Sequence, residues 1–359
     1  MISSYWQYFM TCFMSICLIF SACNQQDTDT SVKQTEEVPD EADKIEGEKM
    51  PSAQSAMEQN LKIRLLSDRI IKDSLNSELY FTRGNAYLEE GRAEYAVGDF
   101  IKAIKLDSTQ SSYYLAAAEI YFKSQQLPPA IRIMERAIRN IPKESLQLHL
   151  ELGKYYFYVG KNKEATKEID GVLAQDANIA EAYFWKGMIA RDEKKTKDAI
   201  TNLKKSLQLE PDAYNPNMIL AQVLAEQGSA ECVKYYDKAS EIDPLSIEAV
   251  YAKAIFLQEN KQEDEALKAY TKIISISPQF QDAHYNTGYI YFQKGDFERA
   301  KKSFLAAIRV SPAFAKAYYM RGYCDEKLGN KAAAKADYEL ALKFEPELKL
   351  AEEGLERVK

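Results

Sequence analysis

The sequence predicts an all-α fold, an α-solenoid of stacked helix hairpins, on three observations. A unit of about 34 residues returns from Ser77 almost to the C-terminus. Within each unit the apolar residues recur at helical spacing in two stripes. Gly and Pro stand at fixed offsets after the stripes, where helices end. The stretch from Gln281 to Phe314 is the clearest copy. His284, Thr287, Gly288 and Tyr291 share one stripe, and Gly295 follows where a left-handed C-cap is wanted. Ala300, Phe304, Ala307 and Ile308 form the second stripe, which Pro312 ends. Small residues at 288, 300 and 307 let two antiparallel helices come close, while Tyr291 and Phe304 fill the gaps between them. One such hairpin cannot bury its own apolar face, so it must stack on copies of itself.

These residues resemble the signature of the tetratricopeptide repeat (TPR) family, with Gly288, Tyr291, Ala300, Phe304, Ala307 and Pro312 at its signature positions and His284 where the family most often has Trp. Eight copies in register occupy residues 77–348, about three-quarters of the chain. Before the clearest copy come units starting at Ser77, Ser111, Leu146, Ala180, Tyr214 and Ile247, and one follows at Ala315. The third unit is preceded by one extra residue, Ser145, and the fifth is one residue short at its inter-helix turn. Gly91, Gly160, Gly228, Gly295 and Gly329 fall at the same place after the first helix of a unit, and six prolines recur after the second. The resemblance implies a right-handed superhelix whose first helices line a concave groove.

Outside the repeats the chain changes character. Residues 1–22 form an uncharged apolar run, too short between Phe9 and Phe20 for a bilayer-spanning helix and suited to a signal-peptide core. Phe20-Ser21-Ala22-Cys23 resembles the cleavage motif of bacterial lipoproteins, although Phe20 stands where Leu is commonest and no Lys or Arg precedes the run. That resemblance implies lipid attachment, including palmitate, at Cys23, and a cell-envelope location. Asn24 after the cysteine favours the outer membrane, and an uncleaved anchor is the alternative. Residues 23–53 read as an acidic disordered tether, because they lack the apolar surface that would offset ordering. A helix within residues 54–76, with Met57, Leu61, Leu65, Leu66, Ile70 and Ile71 at amphipathic spacing, is expected to cap the first hairpin. Residues 349–359, with Leu350, Leu355 and Val358 on one side, are expected to cap the last.

The formal charge of −7 sits entirely between residues 24 and 60, which hold ten acidic and three basic side chains; the remainder balances. A neutral array sets up no long-range field toward nucleic acid. Catalytic chemistry is nearly absent as well. The chain has no Gly-rich phosphate loop, no paired metal motif and no Gly-x-Ser-x-Gly elbow. His149 and His284 occupy the same packing position four repeats apart, too distant to share a metal. Cys232 and Cys324 lie three units apart and are expected as buried free thiols. No enzyme activity, cofactor or metal is expected.

Function is therefore expected in the groove, lined by the second, fifth, ninth and twelfth residues of each first helix. In the last three units these include Tyr251, Ile255, Tyr285, Tyr289, Phe292, Tyr319 and Tyr323. Aromatic side chains give contact area at low entropic cost and suit a protein segment laid in a groove. Tyr at the fifth and twelfth positions also serves packing, so Tyr289 and Tyr323 are the more telling. No carboxylate clamp is expected, since Phe81 precedes Asn85 and Glu119 takes the matching place in the next unit. The first reading is a non-enzymatic adaptor of the bacterial envelope that binds a partner protein. The alternative is glycan capture for nutrient uptake, which in similar lipoproteins relies on long insertions that this chain lacks.

Overall fold

The computed structural model describes residues 61–141 and 146–359. The expected signal segment, Cys23 and the expected acidic tether lie outside them, as do Pro142 and residues 54–60 of the expected cap. Among the described residues there are 18 α-helices and no strand. The chain divides into two compact units, one ending at Ala177 and one running from Asn178 to Lys359. The first contains α1 (Leu61–Lys72), α2 (Ser77–Glu89), α3 (Ala93–Leu106), α4 (Ser111–Lys123), α5 (Leu127–Asn140), α6 (Leu146–Tyr158) and α7 (Asn162–Gln175). The second contains α8 (Ala180–Asp192), α9 (Thr196–Leu209), α10 (Tyr214–Glu226), α11 (Cys232–Ile242), α12 (Ile247–Glu259) and α13 (Glu263–Ile276). It continues with α14 (Gln281–Gln293), α15 (Phe297–Val310), α16 (Ala315–Lys327), α17 (Lys331–Phe344) and α18 (Lys349–Arg357).

From α2 onward the helices pair as hairpins, and within each unit every second helix also packs on the next first helix. First helices are 13 residues long and second helices 14, except α11 with 11. The deletion in the fifth repeat falls here. The helix starts late, at Cys232, and so keeps Tyr236 and Ala239 on the buried side.

Small residues set the depth of each hairpin. Ala96, Ala130, Ala165, Ala199, Ala266, Ala300 and Ala334 are fully buried at one position of the second helix, and Cys232 takes that place in the fifth repeat. Cys324 stands where other first helices bury Ile189, Val223 or Ile290. Both thiols are free and buried, as expected, and burial pushes them up to about 11 and about 12. They pack as small apolar groups and are poor nucleophiles.

All eight hairpins reverse in the same way. After α2, the Gly91 N–H donates to the Leu88 carbonyl at 2.9 Å and the Arg92 N–H donates to the Tyr87 carbonyl at 2.8 Å, a Schellman ending. The residue at the turn has positive φ in every case: five are glycines, and the other three are Gln125 (φ 60), Lys194 (φ 60) and Lys261 (φ 58). A side chain in the left-handed region costs about 1–2 kcal/mol, part of which glycine returns through its more flexible unfolded chain. Gln125→Gly, Lys194→Gly and Lys261→Gly are each expected to stabilise their own hairpin by about 0.5–1 kcal/mol. Urea unfolding of each variant checks this; an unchanged or lower midpoint in all three would refute it.

A second device joins neighbouring repeats. The fourth residue of a first helix reaches back six residues to a backbone carbonyl: Tyr80 to Ser74, Tyr114 to Ser108, Asn217 to Pro211, His284 to Pro278 and Tyr318 to Pro312, at 3.0–3.2 Å. Nε2 of His284 faces a carbonyl, so it must carry the proton and donate. This accounts for a histidine, tyrosine or asparagine at one and the same position.

The caps differ in detail from expectation. In α1 the packed residues are Ile63, Leu66 and Ile70, while Leu61, Leu65 and Ile71 are exposed. In α18 the packed residues are Ala351, Gly354 and, just beyond the helix, Val358, with Leu355 half-buried and Leu350 exposed. Gly354 lies so close to Tyr338 that a Cβ there would fall 2.7 Å from the ring. Close approach, rather than the size of the leucines, decides which side of α18 packs.

Candidate functional site

The face formed by the first helices carries the candidate residues. First helices of successive hairpins approach one another, α4 with α6, α10 with α12 and α14 with α16, and no comparable approach links second helices. A side chain at the twelfth position of one first helix, such as Phe122 or Phe292, therefore has the next first helix beside it. This is what brings aromatic groups from different repeats together.

The seven candidates fall into two groups. Tyr251 and Ile255 pack in the core around α12 and α13, and Tyr251 is only 6% exposed. Its ring meets Phe280 edge-on at 5.2 Å, and its hydroxyl accepts a hydrogen bond from Asn286 at 3.3 Å. Tyr319 is 9% exposed, with its ring 5.7 Å from Tyr338. The expected surface position of Tyr251 and Tyr319 is thus corrected: at the fifth position the ring turns into the hairpin and meets the second helix. Tyr285 is half-buried, 5.5 Å from Phe304 and 5.1 Å from Phe314.

Tyr289, Phe292 and Tyr323 remain half-buried on α14 and α16. Phe292 and Tyr323 lie 5.1 Å apart, and Tyr323 stacks with Tyr319 at 6.0 Å. Two cations flank this row: Lys327 lies 5.0 Å from the Tyr323 ring centroid and Arg357, from α18, 5.4 Å. Arg357 forks onto Glu326 at 2.9 and 3.1 Å, and the Tyr338 hydroxyl donates to Glu326 at 2.5 Å. Burial pushes the Glu326 carboxyl up, but the bonds from Arg357 and Tyr338 outweigh it and hold it below the usual range. The cap helix therefore contributes to the aromatic face. Sequence reasoning missed Arg357, although it stands 31 residues after Glu326, close to one repeat period.

Carboxylates occupy the second position of the neighbouring first helices. Burial raises Glu248, and it raises Asp282 against the opposing effects of Gln281 and Lys316. The first unit has an aromatic cluster of its own, which the sequence did not single out. Phe122 lies 5.0 Å from Tyr155 and 5.1 Å from Tyr158, with the Lys154 ammonium 5.0 Å from the Phe122 ring. Phe81, beside Asn85, packs against Phe100 and Tyr113.

The two histidines stand apart. His284 is held by the Pro278 carbonyl, and His149 Nδ1 lies 2.6 Å from Glu168 in a recess that also holds Tyr156 bonded to Glu135. Among the described residues no three His, Cys, Asp or Glu side chains converge to hold a metal ion, and no helix is long and apolar enough to cross a membrane.

Models of the tetratricopeptide repeat match residues 77–110, 150–216, 251–300 and 285–347, together more than half of the chain. The chain belongs to the tetratricopeptide repeat family. Proteins of this family act as protein-interaction scaffolds and are generally not enzymes. The chain is similar to a TPR repeat-containing protein of Methanocaldococcus jannaschii, 24% identical over 178 residues, covering 46% of this chain and 31% of that protein. It is also similar to the protein O-mannosyl-transferase TMTC3 of Homo sapiens, 24% identical over 52% of this chain and 21% of that protein. DnaJ homolog subfamily C member 7 of Mus musculus is 33% identical over 26% of this chain and 21% of that protein. The chain spans less than a third of the length of each of these relatives. Among solved structures, pilF of Pseudomonas aeruginosa has a TM-score of 0.48 at 18% identity, covering 57% of this chain and 93% of that one. A structure of MamA has a TM-score of 0.44 at 23% identity, covering 47% and 93%.

Proposed function

We propose that this tetratricopeptide repeat protein is an adaptor of the bacterial cell envelope that binds a segment of a partner protein on the first-helix face of its last three repeats. The observation that carries the reading is the row Tyr289, Phe292 and Tyr323, half-buried aromatic side chains from adjacent first helices with the Lys327 and Arg357 cations beside them. Half-exposed aromatic rings lose little rotamer freedom on binding and offer large contact areas. Tyr285 packs in the same cluster as the row, and the buried Tyr319 stacks with Tyr323. In this reading lipidated Cys23 tethers the chain to a membrane.

Cross-linking in intact cells followed by mass spectrometry, comparing wild type with Tyr289→Ala/Tyr323→Ala, tests the binding face. The cross-linked partners are expected to be lost from the variant; an unchanged set would remove this face from the proposal. Labelled fatty acid is expected to enter the wild type and not Cys23→Ala, and equal labelling would remove the anchor.

A further inference from the structure

Four of the nine large hydrophobic residues exposed in the described structure lie within one short stretch, in α1 and the turn after it: Leu61 (69%), Leu65 (54%), Ile71 (80%) and Leu75 (78%). Scattered exposed leucines are ordinary, but such a concentration on one element marks a surface that something covers. Leu61 and Leu65, one turn apart, lie opposite the packed stripe of Ile63, Leu66 and Ile70. Exposed Asp68 and Lys72 continue their stripe, and exposed Arg64 and Arg69 border it on either side. Residues 61–75 carry four cations against two carboxylates, a local excess of positive charge in an array that balances only as a whole.

We propose that the outer face of α1 docks onto an anionic lipid surface, with Leu61 and Leu65 entering the acyl boundary and Arg64, Arg69 and Lys72 meeting the headgroups. A helix with leucines on one face and cations along the borders has the composition of an interfacial helix. Charge complementarity selects this occupant over two others. A second copy of the chain would set cations against cations. The acidic segment 24–60 offers ten carboxylates but only scattered apolar residues, Val32, Val38, Ile45, Met50 and Met57, so it matches the charge and supplies no continuous apolar surface for the leucines. A bilayer with anionic headgroups supplies both counter-charge and hydrocarbon. The inference does not depend on Cys23: a lipid anchor fixes where the chain is attached, whereas this contact fixes which end of the first unit faces the lipid.

The test is hydroxyl-radical footprinting of the full chain, free, with phosphatidylcholine vesicles, and with vesicles in which about a third of the lipid is phosphatidylglycerol. Oxidation of Leu61, Leu65 and Leu75 is expected to fall at least about threefold on the anionic vesicles only, with Leu245 and Leu350 unchanged in the same molecules. The exposed-charge variant Arg64→Glu/Arg69→Glu/Lys72→Glu, its helicity confirmed by circular dichroism, is expected to lose that protection. Equal oxidation in all three samples would overturn the proposal, as would equal protection on neutral vesicles. Protection without vesicles would overturn it too, assigning the face to a second copy if it grows with protein concentration and to the chain's own acidic segment if it does not.

Discussion

Asp99→Ala is expected to destabilise the first hairpin by about 3–5 kcal/mol, because it leaves the Arg83 guanidinium buried without its counter-charge. Arg83 and Asp99 form a two-pronged pair, both bonds at 2.7 Å, with side chains only 8% and 2% exposed. Burial pulls the Arg83 pKa down, but the bonds to Asp99 outweigh it and keep the group charged. Arg83 also donates to Ser67 in α1 at 3.1 Å, so the loss should spread into the cap. Hydrogen exchange reads this directly: amides of α2 and α3 are expected to exchange at least about 100-fold faster, while α16 and α17 keep wild-type rates. Two further variants separate lost counter-charge from lost volume. Arg83→Met/Asp99→Leu removes both charges and is expected to cost much less than Asp99→Ala. Asp337→Ala breaks the matching pair with Arg321 in the eighth repeat, where the arginine is 21% exposed, and water there should soften the loss. If Asp99→Ala is no worse than Asp337→Ala, burial is not what makes the first pair matter.

The second large effect is steric. A Cβ added at Gly288 would lie 2.8 Å from Cε1 of Phe304, a ring with no exposed surface. Overpacking of this kind costs about 1–3 kcal/mol, and the better helix propensity of alanine returns up to about 1. Gly288→Ala is therefore expected to lose about 1–2 kcal/mol net. The chain contains a remedy in its second repeat, where Ala118 and Met134, both fully buried, stand at the same two positions. Methionine bends around a methyl group where a phenyl ring cannot. In a double-mutant cycle, Gly288→Ala/Phe304→Met should be more stable than the sum of its single changes by at least about 0.5 kcal/mol. Strict additivity in urea unfolding would show that the two side chains do not compete for the same space.

What the sequence could reveal was whatever the repeat period repeats. Glycine at the reversal, alanine at the helix contact and the two apolar stripes recur in unit after unit, and each copy reinforces the others. What occurs only once was hidden. Tyr251 and Tyr289 both stand on first helices in plausible lining positions. The fifth position of Tyr251 already marked it for packing, but which side chains close over it, Phe280 and Tyr270, is set by neighbouring segments. In α1, apolar residues occur on both sides of the helix, so the moment of the pattern left the packed side open; contact with α2 selected Ile63, Leu66 and Ile70. The Arg83–Asp99 pair, matched only by Arg321–Asp337, was equally silent, since a charged residue in a solenoid ordinarily reads as a solvated face. At the three turns lacking glycine, the backbone hydrogen bonds of the Schellman ending impose the same geometry on Gln125, Lys194 and Lys261.

Those shared reversals have a consequence for how such a chain is put together. Each is closed by backbone groups three and five positions apart, so the instruction to double back is written within a few neighbouring residues and consults nothing distant. Assembly can then start at more than one hairpin and spread by local annealing. Evolution can lengthen or shorten such a molecule by whole periods, leaving every remaining bend with the partners it already had.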